Sequence, residues 1–528
     1  MKQNANLFSA LRAGFPADLD SVAIEAAGAG VDTGADTTTQ RYTWRDLERG
    51  TAMLANLLGS LDLPAGSRIA VQTEKSVEAL MLYLAVLRAG LVYLPLNTAY
   101  QRDEIGYFIG NAEPAVVVCS PKNFGWVSRI AFTANSTAKS AAGTTHVFTL
   151  GDDRSGSLLQ RAAVHSDVHT PAVRDVDDLA AILYTSGTTG RSKGAMLSHG
   201  NLLSNALVLK TYWGWRQGDV LIHALPIFHV HGLFVASHGA LLNGSKMIWL
   251  NRFEPKTVIA HLPEATVFMG VPTLYVRLLA EPGLTRAACA NMRLFISGSA
   301  PLLIETFNLF HERSGHTILE RYGMSETAML TSNPCAPADG ERRGGTVGFP
   351  LPGVGVRVID DAGAPCPTDE IGNMQVTGPN VFKGYWRMPE KTAEEFTADG
   401  WFKTGDVGRI DAHGYVTIVG RSKDLIISGG FNVYPAEIES TLNDMADVAE
   451  SAVIGVPHPD FGEAVVALVV ARPGSAPDAN ALIAELKSKI ANFKVPKRVF
   501  VVGELPRNTM GKVQKNLLRE AHKGLFAA

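Results

Sequence analysis

Cysteine is scarce: Cys119, Cys289, Cys335 and Cys366 are the only four in 528 residues, and they form no CxxC pair. That excludes a disulfide scaffold and a cysteine-based zinc site, and it fits a reducing, cytoplasmic setting. An excess of one charge is also missing. Lys and Arg number 48 and Asp and Glu 51, a formal net charge of −3. This near balance argues against a dedicated nucleic-acid binder or a polybasic membrane binder. No long uninterrupted hydrophobic run occurs. The most apolar stretch, Leu221 to Leu242, holds His223, His229, His231 and His238 and is broken by Pro226. A membrane span would tolerate this poorly, so buried core lining something polar is expected there. The first residues, MKQNANLFSALRAG, carry no apolar run and no cleavage site, so a signal peptide is not expected. Internal repeats and extended low-complexity segments are absent.

What is present describes a folded chain of mixed class. Hydrophobic residues make up 46% and charged residues 19%, which excludes disorder. The length suggests two to four domains at about 150 residues each. With 51 Gly and 27 Pro the chain has many tight turns, as a mixed α/β enzyme does. Residues 77–89 read as a buried helix ending before Gly90, and 116–119 and 179–184 as buried strands. Further strands are expected at 266–269 and 294–296, and a small polar loop at 133–145. Alternation of this kind implies parallel strands covered by helices. Residues 354–419 read as a β-rich subdomain. Beyond Arg421 come a helix at 435–442, strands at 452–456 and 464–470, and a helix at 480–491, enough for a small α+β domain. The expected division is 1–422 and 423–528, with a hinge near Lys423.

The strongest local signal runs Thr185-Ser186-Gly187-Thr188-Thr189-Gly190-Arg191-Ser192-Lys193-Gly194. Its glycines let the backbone turn N–H groups onto an anion, its hydroxyls add donors, and Lys193 adds charge. It is not a Walker A loop, because GxxxxGK[ST] is absent. One competing pattern is Gly190-Arg-Ser192-Lys-Gly194, which matches the GxSxG nucleophile elbow and would make Ser192 a catalytic serine. An elbow sets its serine directly between strand and helix. Here a hydroxyl-rich loop separates Ser192 from the preceding strand.

The run YTSGTTGRSKGAMLSH resembles the phosphate loop of acyl-adenylate-forming enzymes, the superfamily of acyl-CoA synthetases, luciferase and adenylation domains. The resemblance continues in order at Gly298-Ser-Ala-Pro301, Tyr322-Gly-Met-Ser-Glu-Thr327, Tyr385-Trp386, Thr404-Gly-Asp406, Gly420-Arg-Ser-Lys-Asp424 and Pro506 to Lys512. It implies a large N-terminal domain and a small mobile C-terminal lid. It also implies a two-step reaction that uses ATP, Mg²⁺ and coenzyme A. A carboxylate attacks the α-phosphate, and a thiol then displaces AMP.

By that resemblance Lys512 is the lysine of the adenylation step and Glu326 binds Mg²⁺, with Thr188 from the loop. Residues 185–190, Lys193 and Thr327 contact phosphate. Gly298, Ser299, Ala300 and Tyr322 form the adenine cradle. Asp406 takes the ribose hydroxyls, supported by Arg421. Lys423 marks the hinge, and Gly429 and Gly430 line the pantetheine channel. Acetylation of Lys512 by a lysine acetyltransferase would remove its charge and stop adenylation.

Segments such as HALPIFHVHGLF, FMGVPTLYVRLL and LPRNTMGKVQK further resemble the malonyl-CoA synthetase branch. That likeness implies malonate as the acid, with Arg277 and Ser299 on its distal carboxylate and His229, His231 and Met329 around the pocket. Arg293 is a weaker candidate. Methylmalonate, or a monocarboxylate, is the alternative acid. His229 and His231 could be misread as a metal pair, but no further ligand has a matching spacing.

Overall fold

The computed structural model describes residues 4–26, 39–137, 145–185, 192–429, 431–508 and 511–526. Among these residues two sheets build the large domain. One has nine strands and runs parallel through its centre: Val22–Ala26, Lys246–Trp249, Val220–His223, Val267–Gly270, Leu294–Ser297 and Leu319–Met324. The other has six strands, with His146–Thr149, Val116–Cys119, Arg68–Gln72, Val92–Pro95 and Leu179–Thr185 parallel and Lys193–Ser198 antiparallel at its edge. Strands such as Val116–Cys119 are buried along their whole length, which is why they read as unbroken apolar runs rather than alternating ones.

Helices cover both sheets. Val77–Arg88 is buried on every side, and the Ser76 hydroxyl caps its first turn. Residues 133–137, expected in a loop, instead complete the helix Phe124–Thr137; residues 138–144 lie outside the described set. The apolar stretch around Phe228 is core, as its composition implies. After the strand Val220–His223 it forms a π-helical turn, His231–Ala236, and then the helix Ser237–Asn243, buried throughout except at Val220 and Asn243.

Residues beyond Gly355 form the expected β-rich unit, a four-stranded antiparallel sheet ending in Val416–Arg421. A short turn, Ser422–Asp424, leads into a five-stranded sheet that begins at Ile426–Ser428 and is flanked by Pro435–Asn443, Ala479–Lys489 and Lys515–His522. This C-terminal unit has two cores of its own, as alternation along a strand covered on both faces requires. Ile438, Val465 and Ala467 lie in one, and Val466, Leu468 and Leu518 in the other. Among the described residues no helix is long and apolar enough to cross a membrane.

Candidate active site

Parallel strands deliver their C-terminal ends to a shared crevice, the usual place for ligands in α/β sheets. Leu179–Thr185 runs into the phosphate motif and returns as Lys193–Ser198, with Thr185 paired to Lys193. The described ends of the motif therefore lie side by side on antiparallel strands. Thr185 and Lys193 stand at its base, while Ser186, Gly187, Thr188, Thr189 and Gly190 lie outside the described residues. Ser192 precedes a strand and not a helix, so the nucleophile-elbow geometry is absent.

Glu326 faces this hairpin from the turn between Leu319–Met324 and Ala328–Ser332. It is buried, and its Oε1 accepts the Tyr385 hydroxyl at 3.0 Å and the Thr185 hydroxyl at 3.5 Å. No cation pairs with it among the described residues, and burial raises its pKa. A buried carboxylate beside a phosphate loop suits a hard divalent cation that takes its other ligands from phosphate oxygens. Lys193 lies 4.2 Å over the Tyr385 ring and 3.4 Å from Glu395, so it is held close to the same hairpin.

A second cluster forms where the β-rich unit meets the lid. Asp406 and Arg421 are paired across adjacent strands, with Arg421 Nε 2.7 Å from Asp406 Oδ1. The Tyr322 hydroxyl donates to Asp406 Oδ2. Asp406 is nearly inaccessible, yet each carboxylate oxygen can accept more than one hydrogen bond. Lys512 comes to this cluster from the lid. Burial in the cleft lowers its pKa, as does the nearby Arg421, while Asp406 opposes the shift. Its ammonium is also close enough to help keep His229 neutral, although burial is the main cause there. Lys512 follows Gly511, whose φ of +74° suits glycine. A Cβ at Gly511 would also stand 2.8 Å from Thr273 Oγ1 of the large domain, so the lysine loop sits directly against that helix.

A third group, around Ser299 and His231, gathers polar atoms that lack partners. Ser299 holds a left-handed backbone, φ +75°, and its hydroxyl lies 3.3 Å from His231 Nδ1. His231 is fully buried and its Nε2 has no partner; His229 is partly open and its Nδ1 has none either. Arg321 completes the group. It is 2% exposed, and its Nε and Nη2 find no acceptor. Its Nη1 lies 2.6 Å from where a Cβ would stand on Gly298, so that glycine makes room for the guanidinium. Burial pushes the Arg321 guanidinium down to about 9, and burial with Arg321 beside it pushes His231 far down. Buried polar groups are nearly always hydrogen-bonded, so the unpartnered atoms of Arg321, His229 and His231 stand out.

The remaining expected residues divide. Gly298, Ser299, Ala300 and Tyr322 do come together at the strand ends. Thr327 is fully buried and its hydroxyl bonds the Ala328 carbonyl, whereas Ser325 in the same turn is partly open. Met329 is a core residue, buried at 1% exposure beside Gly323. Arg277 lies on the exposed side of the helix Pro272–Leu279 and lines a groove of about 350 Å³ with Phe228, Val271 and Leu274. Among the described residues it makes no ion pair. Arg293 pairs with Asp219 at 2.7 Å and serves the fold. Lys423 is exposed in the turn Ser422–Asp424, Gly429 has φ +59°, and Gly430 lies outside the described residues. Among the described residues no cluster of three or more His, Cys, Asp or Glu is placed to hold a metal. Arg321 is legible only as part of the YGMSET flank; nothing in its spacing shows that its side chain turns inward.

A Gly- and hydroxyl-rich motif at the strand ends, the pair of buried Asp406 with Arg421, and Lys512 brought beside it from the C-terminal unit fit a nucleotide-dependent acid-activating enzyme. The chain belongs to the family of AMP-binding enzymes, whose model matches residues 21–386, and the model of the AMP-binding enzyme C-terminal domain matches 437–512. It is similar to ATP-bound MatB from Rhodopseudomonas palustris, at 52% identity over 99% of this chain and 100% of that one, with a TM-score of 0.93. Against the apo form of the same protein the TM-score is 0.82. Among curated relatives, a malonate–CoA ligase of Arabidopsis thaliana is 34% identical over 86% of this chain and 78% of its own length. A feruloyl-CoA synthase of Amycolatopsis is 34% identical over 90% and 93%.

Proposed function

We propose that this AMP-forming acyl-CoA ligase is a malonate–CoA ligase, converting ATP, malonate and CoA to malonyl-CoA, AMP and diphosphate. The observation that carries the choice of acid is Arg321, a buried guanidinium with two unanswered N–H groups beside Gly298 and His231. A monocarboxylate offers its one carboxylate to the reaction and leaves that cation unpaired. A dicarboxylate answers it, and a guanidinium fork matches a carboxylate bidentately. Ser299 adds a hydroxyl beside it. Arg277, with no ion pair of its own among the described residues, supplies a second cation from the groove side. The likeness to malonate–CoA ligases supports the same reading.

In the first step a proximal carboxylate oxygen of malonate attacks the α-phosphorus, and the bond to diphosphate breaks. Lys512 neutralises the charge that gathers between carboxylate and α-phosphate. Charge stabilisation of this kind dominates phosphoryl and acyl transfer. Asp406 holds the ribose, with Tyr322 and Arg421 fixing its carboxylate. Glu326 would hold Mg²⁺, which supplies positive charge to the phosphate oxygens. In the second step the CoA sulfur attacks the acyl carbonyl and AMP leaves. The lid turns about Lys423 between the steps, so the division at 422 and 423 is a boundary between moving bodies. Gly429 and Gly430 then line the thiol path. Residues 186–190 are the phosphate-contacting part of the motif. Acetylation of Lys512 by a lysine acetyltransferase would remove the cation the first step needs.

The test is AMP release from ATP, Mg²⁺ and CoA with malonate, methylmalonate, succinate, acetate and octanoate. Malonate is expected first and methylmalonate second, because one methyl alters pocket binding by only about 1–3 kcal/mol. Acetate or octanoate first would overturn the choice of acid and leave the adenylating machinery standing.

A further inference from the structure

Lys512 can serve adenylation only while the lid rests on the large domain. Beyond the connecting turn, one ion pair joins the two units among the described residues: Arg472 with Glu305. Arg472 Nη1 and Nη2 donate to Glu305 Oε1 and Oε2 at 2.8 and 2.7 Å, fork to fork. Arg472 directly follows the lid strand Gly462–Ala471, and its backbone N–H is tied to the Asp447 carbonyl at 2.9 Å. Glu305 stands in the first turn of the helix Ile304–Ser314, where the helix dipole favours a carboxylate. That helix begins a few residues beyond Ser299, so the contact is anchored to the strand-end turn of the acyl crevice. Neither residue belongs to the nucleotide or acyl site.

We propose that Glu305 and Arg472 are positioning residues for adenylation: they clasp the lid in the pose that brings Lys512 to Asp406 and Arg421, and they part when the lid turns. The clasp rests on the proposal that the two half-reactions use two lid poses. The side chains of Arg472 and Glu305 are 34% and 50% exposed, and exposed pairs contribute modestly. A modest clasp suits a lid that must open in every turnover. It predicts a loss of a few-fold, not an abolition, and a loss that salt diminishes.

The test compares wild type with Glu305→Gln, Arg472→Gln and the exchanged pair Glu305→Arg with Arg472→Glu. Adenylation is read as malonate-dependent ATP–diphosphate exchange. Thioesterification is read as CoA-dependent AMP release from enzyme preloaded with malonyl-adenylate. Each single variant is expected to lose about three- to five-fold in exchange, with thioesterification unchanged or faster. The exchanged pair is expected to restore exchange, and high salt to narrow the gap between wild type and the single variants. Energy transfer between a fluorophore on the lid and one on the large domain is expected to show a larger separation in the single variants. Unchanged exchange, equal losses in both half-reactions, no restoration by the exchanged pair, or an unchanged lid distance would each overturn the clasp. A wild type that makes no adenylate from malonate overturns the choice of acid instead, and the lid distance then still decides the clasp.

Discussion

A guanidinium taken out of water without a partner costs several kcal/mol, so Arg321 is an expense that a ligand must offset. Its neighbour Gly298 is tied to the same function. Gly298→Ala would drive a methyl group to 2.6 Å from Arg321 Nη1 and 2.7 Å from the Arg321 backbone oxygen, and should lower malonate use by about ten-fold or more in kcat/KM. An unaltered kcat/KM would show that the guanidinium can move aside freely. Lys512→Ala should remove malonate-dependent ATP–diphosphate exchange and spare CoA-dependent AMP release from preformed adenylate. Equal loss of both steps would contradict its assignment to adenylation. Lys512, Glu326 and Asp406 are legible in the sequence because each lies in a motif whose order along the chain is itself informative. Arg321 is not, because a motif names a residue and not the direction its side chain takes. The surroundings of Arg277 and Thr327 are not legible either: Arg277 lies on an exposed helix face beside a groove and Thr327 is buried, and no spacing shows this.

At the scale of elements, the phosphate hairpin depends on the helix that anchors its return strand. The strand Lys193–Ser198 passes directly into the helix His199–Tyr212, and Ser198 closes a capping box with Asn201. The Ser198 hydroxyl accepts the Asn201 N–H at 3.1 Å, and the Asn201 side chain accepts the Ser198 N–H at 2.9 Å. Ser198→Ala should cost about 1 kcal/mol of stability, measured by urea unfolding, with Ser192→Ala as a near-neutral companion in activity. A total loss of activity in Ser192→Ala would revive the serine-nucleophile pattern. Most buried strands are readable from apolar runs alone, since a strand covered on both faces has no alternation to hide. The helical residues 133–137 are not: small and polar side chains look like a loop, and the preceding turns of Phe124–Thr137 carry them into the helix. The π turn at His231–Ala236 is also invisible in composition, since widening a helix by one residue per turn leaves no apolar signature.

At the scale of the whole molecule, several histidines are buried in the neutral form. Burial lowers His199 and His229 to about 4 and His238 to about 3. His199 Nδ1 accepts the Leu7 N–H at 3.0 Å, a bond its protonation would break. The folded chain resists these protons while the unfolded chain accepts them near the ordinary value of 6.5. Their contribution is therefore complete above pH 6.5 and is lost as pH falls toward 4, on the order of 3 kcal/mol for His199 alone. Thermal melting between about pH 7.5 and 4.5 should show a falling Tm; a flat profile would contradict the neutral assignments. The two-unit division is legible because the motifs change character after Arg421, but the seat of the lid is not, since it depends on contacts such as Thr273 with Gly511 that no spacing reveals. The central claim is that a dicarboxylate is chosen by a buried cation, and it is tested most directly by kcat/KM for malonate and for propionate on wild type and Arg321→Leu. The account predicts that Arg321→Leu loses about a hundred-fold or more on malonate, in line with a buried charged hydrogen bond, while propionate is unchanged or improved. Equal losses on both acids, or no loss on malonate, would contradict it.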